Sequence, residues 1–218
     1  LRELCRQEQK KELTSLLGSG RESFDTFRLD VYSDAYDPKL GTSPRELMRS
    51  NLNICKKYAA GFSAASGSLL FSGATGLGKT FLSACVARVV AERGFSVSYA
   101  PVGQLFAAFE EDKFRPQPDA ARTEDVFACD LLIIDDLGTE LPNSFTVSQL
   151  FICLNERILR QKSTIISTNL ALEDIKSIYS ERTFSRISSN YTILRITGDD
   201  IRIQKKLLNL GGTNDVTP

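Results

Sequence analysis

The sequence contains no histidine, and its five cysteines (Cys5, Cys55, Cys85, Cys129 and Cys153) are scattered, with no C-x-x-C pair among them. Zinc sites draw on those two residue types at close spacing, so these residues do not build one. Cys85, Cys129 and Cys153 fall in apolar runs and read as buried core thiols, which fits a reducing, cytoplasmic setting. No apolar run approaches the eighteen or so residues that a membrane-crossing helix needs. A secretory signal peptide is lacking too, so no membrane association is expected. There is no excess of charge: 27 basic side chains meet 27 acidic ones. No global field therefore draws the chain to nucleic acid, and any such contact must come from a local patch. An initiating methionine is also missing, so the chain, which starts at Leu1, is expected to be a fragment lacking an N-terminal part. What remains suffices for one domain, since 42% of 218 residues are hydrophobic and can fill a real core.

The most informative stretch runs from Ser68 to Thr80. It reads as a short apolar strand, a glycine-rich loop, then a lysine and a threonine opening a helix. Gly73-x-x-x-x-Gly78-Lys79-Thr80 is a P-loop pattern in its required strand–loop–helix context. Gly73, Gly76 and Gly78 free the backbone so that successive N–H groups can turn inward. The helix that follows aims its positive end at the same point, which suits phosphate. The expected nucleotide-binding set is therefore Gly73, Ala74, Thr75, Gly76, Leu77, Gly78, Lys79 and Thr80, with Phe81 just beyond. Lys79 would reach the β- and γ-phosphates of ATP, or the β-phosphate of ADP, and the Thr80 hydroxyl would ligate Mg²⁺.

Residues 1–17 are charged and helix-prone, and Gly18-Ser19-Gly20 breaks the run. A helix is predicted over 44–60, with Ser43 as N-cap and Pro44 in the first turn. Strands are predicted over 68–72, 95–100, 131–134, 164–167 and 192–196. Between them fall helices over about 80–91, 102–112 and 146–161, and two short ones within 172–188. Residues 114–118 read as a proline-bearing loop. Unbroken apolar strands separated by helices imply an α/β fold with a parallel sheet covered on both faces. Ligands of such sheets bind at the C-terminal ends of the strands. The glycine-rich loop, Asp135-Asp136 and Asn169 all lie at such ends.

Asp135 follows four apolar residues, so it emerges at the top of a buried strand, where a carboxylate would hold Mg²⁺ beside Thr80. Asp136 is the natural group to orient or deprotonate an attacking water, with Glu140 near enough in sequence to be a rival. The amide of Asn169 could contact the γ-phosphate and the attacking water, although asparagine is also a common turn residue. Arg182 and Arg186 lie one helical turn apart and share a face. Each reads either as a solvated surface charge or, for Arg186, as a finger reaching a neighbouring subunit's nucleotide.

Taken together, the glycine-rich loop, Leu131-Leu132-Ile133-Ile134-Asp135-Asp136-Leu137-Gly138 and Ile166-Ser167-Thr168-Asn169 resemble the Walker A, Walker B and sensor 1 elements of AAA+ ATPases. Glu181-Arg182-Thr183-Phe184-Ser185-Arg186-Ile187 and Gly198-Asp199-Asp200-Ile201-Arg202 narrow the resemblance to bacterial replicative helicase loaders of the DnaC/DnaI type, with IstB-type transposition helpers as close kin. The likeness covers roughly residues 24–208. It implies a three-layer P-loop NTPase core with sheet order 5-1-4-3-2 and no separate helical lid. It also implies Arg186 as the finger acting in trans, Arg202 in the sensor 2 part, and the region of Phe24, Phe27 and Leu29 as a linker against the adenine. Many relatives carry glutamate where Asp136 stands, and the shorter aspartate bears on the rate of hydrolysis. On this likeness residues 1–20 are a connector or the remnant of a helicase-binding domain, 21–210 the ATPase domain and 211–218 a flexible tail.

The implied function is slow ATP hydrolysis coupled to placing a hexameric replicative helicase on DNA. The alternatives are a transposition helper and a nucleotide-stabilised scaffold. A finger in trans requires head-to-tail self-association, which closes into rings or continues as filaments. Single-stranded DNA is a further expected ligand, sought on the 102–112 helix and at Lys113 and Arg115. Phe106 and Phe109 there, and Lys205 and Lys206 near the end, read equally well as core and as helix-capping residues.

Overall fold

The computed structural model describes residues 22–114 and 121–201. Segments 1–20 and 211–218, together with Arg115, Arg202, Lys205 and Lys206, lie outside the described residues, as does the expectation of a missing helical lid.

Five short runs of β-branched and aliphatic residues pair in parallel: β1 (Ser68–Ser72), β2 (Val97–Pro101), β3 (Leu131–Leu137), β4 (Ser163–Thr168) and β5 (Tyr191–Arg195). Their order is β2-β3-β4-β1-β5, the 5-1-4-3-2 sheet expected above. Leu69 sits opposite Ile165 and Ile133 opposite Ile165 on the other side, so one stripe crosses three central strands. The pleat sends alternate residues to opposite faces. Leu69, Phe71, Leu131, Ile133 and Ile165 therefore meet α1 (Pro44–Ala60) and α2 (Lys79–Glu92). Leu70, Leu132, Ile134 and Ile166 meet the helices of the other layer. These are α3 (Val102–Phe114), α4 (Ala121–Ala128), α5 (Ser144–Leu159), α6 (Leu172–Tyr179) and α7 (Glu181–Asn190). Each fully buried Leu or Ile contributes roughly 1.5–3 kcal/mol, so both faces are needed to hold the sheet.

Local chemistry starts the helices where the sequence says it should. The Ser43 hydroxyl accepts from the Glu46 N–H, with Pro44 in the first turn. Asn143 and Thr146 form a reciprocal capping box, which moves the start of α5 two residues ahead of the predicted one. Two differences have physical causes. α4 was not anticipated, because its eight residues carry only a short apolar stripe and follow a proline-rich segment. β3 continues through Asp135 and Asp136 to Leu137, with an irregularity between Ile134 and Leu137. The two short helices expected within 172–188 are present and part at Ser180, whose φ of 95° ends α6 and whose hydroxyl accepts from Thr183 N–H to start α7. Phe106 and Phe109 are 5% and 4% exposed and belong to the core, which removes them as stacking surfaces for DNA.

One buried cation holds the far layer to the sheet. Arg157 on α5 is fully buried and has no carboxylate partner among the described residues. Its guanidinium donates to the Thr164 hydroxyl (2.9 Å) and to the carbonyls of Val126, Cys129 and Ser163. Two of those carbonyls close α4, where the helix dipole favours a positive charge. Arg157→Ala would orphan these acceptors, and each buried unsatisfied one costs about 1–3 kcal/mol. We expect urea denaturation of Arg157→Ala to show a loss of roughly 3 kcal/mol or more, with Arg157→Lys recovering only part.

The described cysteines are all buried and unpaired. Burial pushes the thiols of Cys55, Cys85 and Cys153 up to about 12. In the unfolded chain a thiol ionises near 8.5, so on raising the pH the unfolded state loses these protons first. This contribution is complete below about pH 8.5 and disappears as the pH rises towards 12. Thermal unfolding followed from pH 7 to 11 should show constant stability at first and a decline above about pH 8.5.

Candidate nucleotide-binding site

The turn from β1 into α2 is shaped by what side chains could not do there. A Cβ on Gly73 would lie 2.0 Å from the Ile196 carbonyl oxygen, so only glycine lets the loop pass the end of β5. Gly76 and Gly78 have φ of 79° and 90°, in the left-handed region. Gly78 precedes Lys79 as N-cap and supplies no side-chain cap, so the first N–H groups of α2 are left to an outside acceptor. Lys79 is 5% exposed, and its ammonium lies back over the loop, donating to the carbonyls of Gly73 and Ala74 at 2.7 Å each.

Below the loop, Asp135 is 6% exposed and is met by three hydroxyls from three different elements. Thr80 donates to Oδ1 at 3.2 Å, Ser167 of β4 donates to the same oxygen, and Tyr99 of β2 donates to Oδ2 at 2.6 Å. Burial, and then the neighbouring Asp135 charge, push the Tyr99 phenol well above its ordinary range. That keeps it a donor at any pH the fold survives. Tyr99 and Ser167 were not singled out from the sequence. Ser167 stands inside the quoted Ser-Thr-Asn run, while the role of Tyr99 depends on strand order and register, which pair it with Ile133.

Asp136 adopts φ 58° at the irregularity in β3 and is anchored by its N–H donating to Ser167 Oγ at 2.9 Å. Its side chain is exposed and lines a cavity of about 380 Å³ shared with Thr75–Phe81. The other end of this cavity is aromatic. Phe27 stacks on Tyr32 with ring centres 6.1 Å apart and meets Phe81 edge-on at 5.6 Å. Tyr32 in turn donates to the Leu77 carbonyl at 2.8 Å. Of the expected linker residues, Phe27 lines the cavity, whereas Phe24 and Leu29 pack against the core. The segment after β5 closes over the loop, with Ile201 N–H donating to the Gly76 carbonyl at 3.0 Å.

The remaining candidates are distributed around this centre. Asn169 is exposed and lines a second cavity, of about 470 Å³, on the other flank of the loop with Ser72, Gly73 and Ala74. Glu140, the rival for water activation, is held by Gly138 N–H at 3.0 Å and by the Tyr179 hydroxyl. It clamps the loop after β3 to α6 and does not line the 380 Å³ cavity. Arg182 and Arg186 are exposed on α7, with no ion-pair partner among the described residues. On α3 the outward positions include Glu110 and Glu111 beside Lys113, so its face is not a basic stripe.

The family model for IstB-like ATP binding proteins matches residues 53–209. The replicative helicase loader DnaC of Escherichia coli is 26% identical over 138 residues, covering 62% of this chain. The chain spans 56% of that relative's length. The crystal structure of the DnaC helicase loader superposes with a TM-score of 0.65 at 22% identity, covering 80% of this chain and 98% of that one. The replication initiator DnaA bound to AMPPCP and single-stranded DNA gives a TM-score of 0.64 at 19% identity, covering 88% of this chain and 56% of that one.

Removing one of the three donors to Asp135 tests the arrangement. Tyr99→Phe should leave the fold intact but free the carboxylate to move. We expect magnesium titration of the nucleotide-bound protein to show roughly three- to ten-fold weaker metal binding, the size of one lost hydrogen bond. Affinity for metal-free nucleotide should be unchanged.

Proposed function

The chain belongs to the family of IstB-like ATP binding proteins, and on that premise we propose that it is the ATPase domain of a loader that places a replicative helicase on DNA. The observation that carries the ATPase part is the convergence of Thr80, Tyr99 and Ser167 on Asp135, directly beneath a glycine loop that opens on the same cavity as Asp136. The similarity to DnaC supports the loader part.

The residues divide the work as follows. The loop amides and the uncapped start of α2 hold the phosphates of ATP. Lys79 leaves the carbonyls of Gly73 and Ala74 to neutralise charge on the β- and γ-phosphates. Thr80 and Asp135 would hold Mg²⁺, and the ion would supply positive charge to the phosphates. Asp136 orients the attacking water and takes up its proton, in the part usually given to a glutamate. Asn169 approaches the γ-phosphate from the opposite flank of the loop. Arg186 serves the nucleotide of a neighbouring copy, which explains its exposure on α7 and leaves the isolated chain a slow enzyme. The DnaA neighbour bound to single-stranded DNA supports DNA as a further ligand. With the outward face of α3 partly acidic, Lys113 is the described residue there suited to a phosphate.

Lys79→Ala should abolish binding of ATP in calorimetry. Arg186→Ala should leave that binding intact while lowering turnover by on the order of 10³-fold in the assembled state. Capture of a replicative helicase by a chain carrying its complete N-terminus is the expected result for a loader. ATP-dependent filaments on duplex DNA with no helicase capture would instead identify a transposition helper. Turnover that stays undetectable with single-stranded DNA and helicase present would identify a scaffold.

A further inference from the structure

The strongest unexplained atom among the described residues is a carboxylate oxygen of a residue that lines the cavity. Glu22 lines the 380 Å³ space together with Thr26, Phe27, Tyr32, Phe81 and Ala84. Its Oε2 is buried and has no hydrogen-bond partner among the described residues. A buried acceptor without a donor is costly, and such atoms in native proteins call for an explanation. The cavity supplies one. It runs without interruption from the glycine loop, where phosphates bind, to the aromatic corner of Phe27, Tyr32 and Phe81, whose ring faces suit a planar base. A nucleotide with its phosphates on the loop carries its base into the corner where Glu22 waits.

We propose that Glu22 is the residue that selects the base: its Oε2 accepts a hydrogen bond from the exocyclic amino group of adenine. Guanine presents a carbonyl oxygen at the same ring position. Two acceptors would then face each other at that ring position, where adenine offers a donor. A site built around one hydrogen bond rejects an analogue that cannot make it far more strongly than an apolar pocket rejects a misfit. The proposal rests on the nucleotide-binding reading of this cavity and adds the chemistry at the end remote from the phosphates. Thr26 and Arg28 also border this end. Arg28 is turned to Asp30, donating from Nε at 3.0 Å, so its guanidinium serves that carboxylate and not Glu22.

The test uses magnesium complexes of ATP, GTP and ITP, with inorganic tripolyphosphate as a base-free probe. Affinities are measured by calorimetry on the wild type, Glu22→Gln and Glu22→Ala, each first checked for an unchanged melting midpoint. ITP carries the guanine-type carbonyl without the 2-amino group, so it isolates the position in question. The wild type should prefer ATP to both GTP and ITP by on the order of a hundred-fold. Glu22→Ala should lose about ten-fold or more in ATP affinity and leave tripolyphosphate unchanged. Glu22→Gln keeps an acceptor oxygen and adds an N–H donor, so it should hold ATP within a few-fold and bind GTP and ITP about ten-fold better than the wild type does. An ATP-to-ITP ratio that is near one in the wild type, or the same in all three proteins, would overturn the inference while leaving the phosphate site standing. A wild type that binds neither ATP nor tripolyphosphate would overturn the nucleotide reading itself.

Discussion

The site depends on a negative charge held in the interior by neutral donors. Asp135 is nearly closed to solvent, yet no lysine or arginine pairs with it among the described residues. Hydroxyls from α2, β2 and β4 take the place that water would fill. Because they are dipoles and carry no net charge, they leave the full negative charge available to a cation from outside. The sheet order makes this possible. β3 lies between β2 and β4, so the strand bearing the acid is flanked by strands that can each send one hydroxyl to it.

The same layer logic separates two of the buried ionic groups, Asp135 and Arg157. Asp135 lies at the C-terminal ends of the strands and offers its charge outward. Arg157 lies towards the opposite ends, near the start of β4, and turns its donors to the Thr164 hydroxyl and to carbonyls of the chain itself. The first group is bonded in a way that still invites a ligand, and the second in a way that leaves nothing for one. Burial alone does not distinguish them. What does is whether the partners are mobile hydroxyls beside a cavity or fixed main-chain acceptors within the core.

Much of this was legible in the sequence, because the signals were local. The glycine loop, the acid after four apolar residues and the Ser43 helix start each need only a few neighbouring residues, and the strand order followed from the resemblance those motifs supported. The unread parts were long-range. Tyr99 becomes a partner of Asp135 only through the β2–β3 register. Glu140 looked available beside Asp136, but the fold brings Tyr179 from 39 residues away to bind it. Glu22 gains meaning only once its segment is seen against α2 and the aromatic corner. α4 stayed hidden because eight residues carry too little periodicity to stand out from a loop.

The conformation of Asp136 limits what could replace it. At φ 58° the backbone lies where an ordinary side chain is disfavoured by about 1–2 kcal/mol, while aspartate and asparagine are tolerated through their short polar groups. A longer acid would reach further into the cavity but would strain the turn that aims it. The irregularity within β3 thus acts as a filter on mutational drift: the chain can move readily between aspartate, asparagine and glycine at this position, while a longer acid would carry the left-handed penalty of about 1–2 kcal/mol.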